Sequence, residues 1–278
     1  MAGTEPHEES EVRTESTDRS LWTSTKVSPV EIALPAGVGY TLRAYRLSNE
    51  LHATDVEGRE EDEDLFAGRA VGAEEDDDEV VILDEEFAAL AAEGDEGEAT
   101  TTTGEDKPAD EDDAGLVEEV PFFLTHRGKL LLFKSPESLA AFVRSGAPHD
   151  LSELDTWSEL AEKIQPADIV ADPEDLYELD LVVENLRGGH DTWDMPLIIR
   201  AGEAARDLGH ALRLPAIVTA MSPGSPLDDL DEAMRAASEG GMKAFFGNRR
   251  MRKIGAQQAS LGWRTIIGKI SAVVDWRD

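Results

Sequence analysis

Six polar residues between positions 180 and 194 have the types and spacing of an oxygen-rich cation site. Asp180 and Glu184 stand one helical turn apart and so share a helix face. Asn185 follows. His190 and Asp191 come just after the Gly188-Gly189 pair, and Asp194 lies three residues on. Carboxylates with one imidazole suit a divalent metal. The competing reading is structural: Asp191 or Asp194 caps a helix, the glycines turn the chain, and Asp180 and Glu184 face water. We expect the structural reading, and therefore no catalytic metal. His126 and His210 have no Ser or Asp beside them that would complete a nucleophile–base arrangement, and read as a turn residue and a surface residue. The chain has no Cys, which excludes disulfides, thiolate metal sites and thiol nucleophiles. Gly37-Val38-Gly39 follows a strand-like stretch but leads into another strand, so no helix N-terminus stands there to hold a phosphate, and no G-x-x-x-x-G-K-[ST] occurs. The expectation is a non-enzyme without cofactor or small-molecule substrate.

Two further stretches point to macromolecular contact. Between Glu239 and Asp275 there is no acid, while Lys243, Arg249, Arg250, Arg252, Lys253, Arg264 and Lys269 supply seven positive charges, with Phe245, Phe246 and Trp263 among them. Clustered cations with aromatics have the composition of a polyanion-binding surface. The alternative is internal: charge complementation of helix ends and pairing with acids on neighbouring helices. The second stretch is DDDEVVILDEEF, in which Val80, Val81, Ile82 and Leu83 form a short apolar run flanked by acids. Such a run suits docking as an added strand on a partner's sheet edge. It equally suits an edge strand of this protein's own sheet, or a chance apolar island.

These residues depend on elements that the sequence marks well. Val38, Tyr40, Leu42 and Ala44 alternate with Gly39, Thr41, Arg43 and Tyr45, a strand period, with Ile32 and Leu34 in a short strand before the Pro35–Gly37 turn. Phe122–Thr125 and Lys129–Phe133 flank His126-Arg127-Gly128, a hairpin signature, and are apolar at nearly every position, which suggests burial on both faces or at one end. Helices follow. Ser135-Pro136-Glu137 opens the first, which ends at Gly146; Asp155 caps the second; Asp172-Pro173-Glu174-Asp175 opens the third, which ends at Gly188-Gly189. Asp194 or Met195 opens the fourth, stopped by Pro215; Ser225-Pro226-Leu227-Asp228 opens the fifth, which ends at Gly240-Gly241; Ser260 caps the last. The fold class is α+β: a small antiparallel sheet followed by about six packed helices.

The charge is unevenly distributed. Residues 1–120 hold 8 Lys/Arg against 36 Asp/Glu, a net of −28, and residues 121–278 hold 18 against 24, a net of −6. The expected organisation is a disordered tail over 1–26, the first core strands over 27–51, a disordered acidic insert over 52–119, and the rest of the core domain over 120–278. The first 25 residues lack a signal-peptide core and no apolar run approaches the roughly 20 residues of a membrane span, so a cytoplasmic location without membrane contact is expected.

EIALPAGVGYTLRAY, THRGKLLLFKSPESLAAFVRSG, YELDLVVENLRGGHDTWD and PGSPLDDLDEA together resemble an actinobacterial family with no assigned activity, some members of which bear the label "primosomal protein". The resemblance covers most of 27–278 apart from the acidic tract. It implies a role near DNA replication or chromosome handling and carries no catalytic residue. The functional expectation is a regulatory or adaptor protein that acts through protein contacts and is tuned by its acidic tract. The alternative is a nucleic-acid accessory factor that uses the 243–269 stretch, with the tract as an internal competitor.

Overall fold

Leu130, Leu131, Leu132 and Phe133 are all buried, and they alternate between two separate cores. That alternation defines the architecture: a sheet covered by helices on both faces. The computed structural model describes residues 19–49, 52, 54–56, 119–239 and 241–278. The expected disorder over 1–18 and 57–118, and the apolar run Val80–Leu83, lie outside the described residues.

Strands β1 (Ser28–Leu34) and β2 (Gly37–Leu47) form an antiparallel hairpin. The second half of β2 pairs with β3 (Glu119–Phe123), from Arg43 opposite Phe123 to Leu47 opposite Glu119. Strands β4 (Thr125–His126) and β5 (Lys129–Phe133) form the expected hairpin, whose turn residues Arg127 and Gly128 both have positive φ, 51° and 70°. Such turns match the strand twist. β5 joins the sheet through Tyr40 opposite Phe133.

Two short strands add parallel pairings that the antiparallel expectation did not contain. β6 (Leu176–Glu178) pairs with β1, and β7 (Val274–Arg277) with β5. The result is a seven-stranded mixed sheet, and the fold class is α+β.

On one face lie α1 (Ser20–Thr25), α2 (Pro136–Ser145) and α3 (Trp157–Lys163). Their core holds Trp22, Leu42, Leu131, Phe133, Leu139, Val143 and Leu160. On the other lie α4 (Leu179–Arg187), α5 (Met195–Ala211), α6 (Pro215–Ala220), α7 (Pro226–Ser238), α8 (Gly241–Met251) and α9 (Ala256–Ala272). Their larger core includes Val30, Ile32, Leu130, Leu132, Leu208, Leu230, Trp263 and Ile267.

Several expected boundaries need correction. Residues 19–26 are not tail: α1 buries Trp22, whose indole N–H donates to the Asp168 carbonyl at 2.9 Å, and Arg19 pairs with Asp172. Nor does the core stop at 51. Thr54 is buried, and its hydroxyl donates to Asp150, which also accepts from Thr125 at 2.5 Å. The helix expected from Asp172 begins only at Leu179: Pro173–Asp175 form a single 3-10 turn, and the next three residues pair with β1. The second helix begins after Thr156, one residue beyond the expected Asp155 cap. The last begins at Ala256, and Ser260 is buried within it, its hydroxyl donating to Gln257.

Candidate functional site

Within the acid–imidazole constellation Glu184, Asn185, His190 and Asp194 hold structural contacts. Asp194 caps α5 by accepting the Leu197 N–H at 3.1 Å. Asn185 accepts the Asp194 N–H at 2.9 Å. Nε2 of His190 lies 2.9 Å from the Ile254 carbonyl, so it carries the proton and donates, and the ring packs against Trp193, tilted by 44° with centroids 4.3 Å apart. Glu184 pairs with Arg187 at 2.5 Å, while Asp180 and Asp191 are exposed. Among the described residues no three His, Asp or Glu side chains are grouped to hold a metal. His126 is half-buried at the β4 turn, and His210 is exposed at the end of α5.

The larger opportunity for binding lies between α6–α7 and the start of α9. A groove of about 540 Å³ runs there, a volume in the ordinary range for binding sites. Ala220, Pro223, Pro226 and Leu227 line one side, and Ile254, Ala259 and Gly262 the other, with exposed Gln258 at the rim. Local chemistry builds both walls. Ser225 caps α7 by accepting the Asp228 N–H at 3.2 Å, with Pro226 at the first helical position. Gly262 keeps α9 close to α7: a Cβ there would meet Leu227 at 3.1 Å. The proton that His190 donates to Ile254 ties the α8–α9 turn to the α4–α5 loop, so the second wall is anchored.

Helix α8 lies chiefly against α7. Gly247 makes that approach possible, since an added Cβ would sit 2.5 Å from the Ala237 amide nitrogen. Its outer side carries Met242, Phe245 and Phe246, 78%, 63% and 53% exposed, with the two rings edge-on at 5.7 Å. Contiguous exposed apolar side chains of this size mark interaction surfaces in soluble proteins.

The cations of the 243–269 stretch divide. Lys243 pairs with Glu239 at 2.6 Å, and Arg250 with Asp229 at 3.2 Å and Glu232 at 3.4 Å. Those two serve the α7–α8 contact, as the internal reading of the stretch expects. Arg249 and Lys253 are exposed and also interact with neighbours. Arg252 and Arg264 are exposed and Lys269 half-buried, all outside the ion pairs of the described residues.

Sequence reasoning missed a buried polar network on the α5 side of the sheet. Arg43 on β2 pairs with Asp175, meets the Tyr177 hydroxyl at 2.6 Å, and lies 3.3 Å from Asp207. Tyr45 donates to Asp207 at 2.6 Å. Burial raises the pKa of both Asp175 and Asp207 against the pull of Arg43. A further buried group is His149, held between Phe142 and Trp157 at ring distances of 5.8 and 4.1 Å. The signal for Arg43 was a charged residue amid a buried alternating run. The groove left none, because its walls come from two helix starts remote in sequence.

Residues 115–271 match the family described as the SatS C-terminal domain. Among solved structures, the crystal structure of a SatS C-terminal domain in complex with bromine is similar over 94% of this chain and 99% of that one, with a TM-score of 0.54 and 16% identity. No curated protein matches the chain.

Proposed function

The chain belongs to the SatS C-terminal domain family, and from that premise we propose that it is a non-catalytic protein-binding module whose main contact surface is the α6–α7/α9 groove, with the outer side of α8 as a separate second one. The observation that carries this reading is an apolar groove of about 540 Å³, supported by a second apolar surface of three exposed large side chains on α8. Concave apolar sites and exposed aromatic or aliphatic anchors dominate protein-binding energetics. Of the 180–194 residues, Asp194 caps α5, Asn185 holds the Asp194 N–H and His190 bonds Ile254, and the Arg43 network holds the sheet to α5. An adaptor or regulatory role fits a surface that binds without transforming.

The test compares wild type with Gln258→Trp, a rim substitution that fills the groove from an exposed position. Each is used to retain proteins from native lysate, with and without nuclease. A defined set of proteins should be retained by wild type regardless of nuclease and lost by the variant. Retention that depends on nucleic acid would favour the accessory-factor reading, and equal retention by both proteins would remove the groove from the function.

A further inference from the structure

The charges around the groove say what kind of polypeptide it takes. Gln258, Gly262, Thr265 and Lys269 are spaced by four, three and four residues, so they form one stripe on α9. Gln258 and Gly262 line the groove, which places Lys269 on the same stripe about 10 Å beyond Gly262 at a rise of about 1.5 Å per residue. Exposed Arg252 and Lys253 immediately precede Ile254, a wall residue at the other end. Exposed Arg264 lies on the next turn of α9.

The acids of the opposite wall are already engaged. Asp228 pairs with Arg206 at 3.0 Å and accepts the Gly224 N–H at 3.1 Å. Asp229 and Glu232 are held by Arg250. At the two ends of the groove exposed Arg252 and half-buried Lys269 outweigh the exposed Asp191 beside His190, so the local balance is positive, whereas the chain as a whole carries −34.

We infer that the groove selects polypeptide segments with an apolar centre flanked by carboxylates, the centre entering the groove and the flanks meeting Arg252 and Lys269. This rests on the protein-binding reading of the groove and adds the chemistry of the partner. Apolar contact supplies the affinity, and the rim charges supply the choice among segments. A neutral-flanked segment gains only the first, and a lysine-flanked one meets repulsion at both ends. The preference opposes the protein's net charge, so it reports on local geometry. Screening over about 8 Å at physiological salt lets the rim act apart from distant charges.

The test uses the full chain and three fluorescein-labelled ten-residue peptides that share a Leu-Val-Ile-Leu centre. Their flanks are three Asp/Glu, three Ser/Gln or three Lys on each side. Fluorescence anisotropy at 50 mM salt should show the acidic-flanked peptide binding about tenfold more tightly than the neutral one, the gain of a few exposed ion pairs. The advantage should shrink severalfold by 300 mM salt. Arg252→Glu with Lys269→Glu should erase the preference while leaving the neutral peptide's affinity within about twofold, and that second reading shows that the variant is folded. Equal binding of the three peptides to wild type, abolished by Gln258→Trp, would overturn the selectivity and leave the groove as a binding site. No binding of any peptide would overturn both.

Discussion

His149 sits between Phe142 and Trp157, and its buried Nδ1 has no hydrogen-bond partner among the described residues. Burial pushes its pKa down from the usual 6.5 to about 4, against the attraction of neighbouring Asp150. The unfolded chain takes up the proton near pH 6.5, the folded protein only near pH 4. Between those values the unfolded state binds more protons, so stability is full above pH 6.5 and is lost as the pH falls through the window. The loss approaches roughly 3 kcal/mol at the acid end. His149→Phe keeps a ring between the same neighbours and removes the proton. Urea midpoints at pH 7.5, 6.5, 5.5 and 4.5 should show wild type losing ground to the variant only below pH 6.5. Parallel curves would show that the imidazole does not titrate differently on folding. Single residues were the least legible scale of this sequence. Arg43 stood out as a cation inside a buried strand, yet its partners Tyr177 and Asp207 lie 134 and 164 positions away, and no local rule joins them. Asp194 was legible because an N-cap bonds to its own helix, three residues on.

At the scale of elements, the caps gave the correct starts for α2 at Pro136, α5 at Met195 and α7 at Pro226, since each rests on an adjacent Ser or Asp and an early proline. The same signal failed at Asp172–Asp175, where pairing with β1 outweighed local preference. Helix α8 was not read as an element at all. It opens on glycine, carries its cations and phenylalanines outward, and is held by a seam of small residues that no hydrophobic period reveals. That seam makes a prediction. Gly247→Ala places a methyl 2.5 Å from the Ala237 nitrogen and 2.7 Å from the Ala233 carbonyl, so α8 must move off α7. The expected cost is about 1–3 kcal/mol, with faster amide exchange in α8 than in α5. Gly268→Ala on α9 is the matched control: its added Cβ meets nothing within 4 Å, so the change should stabilise by about 0.5–1 kcal/mol. Equal effects from the two substitutions would mean that the seam does not hold α8.

At the scale of the molecule, the matched family segment is shorter than the unit that must fold. It covers 115–271, whereas β1 and β2 lie before it and β7 after it. β2 pairs with β1 on one side and with β3 and β5 on the other. The hairpin also feeds both cores: Val30, Ile32 and Leu34 enter the larger one, Leu42 and Ala44 the smaller, where Trp22 and Val27 join them. Burying a large apolar side chain contributes about 1.5–3 kcal/mol, so these residues bring on the order of 10 kcal/mol to the interface. That is enough to offset much of the cost of associating two separate chains, about 4–15 kcal/mol. A covalent link through the acidic tract is then not required for assembly. The prediction uses the full chain with a site-specific protease sequence placed between Thr103 and Gly104. After cleavage the two fragments should co-elute at micromolar concentration and unfold in one transition, with a midpoint that is lower than before and rises with protein concentration. A chain of residues 115–271 alone should show no cooperative transition, because β2 is missing from the middle of its sheet. Separation of the cleaved fragments in native buffer, or cooperative unfolding of 115–271 by itself, would show that the hairpin is an accessory to the fold rather than the strand pair on which both cores close.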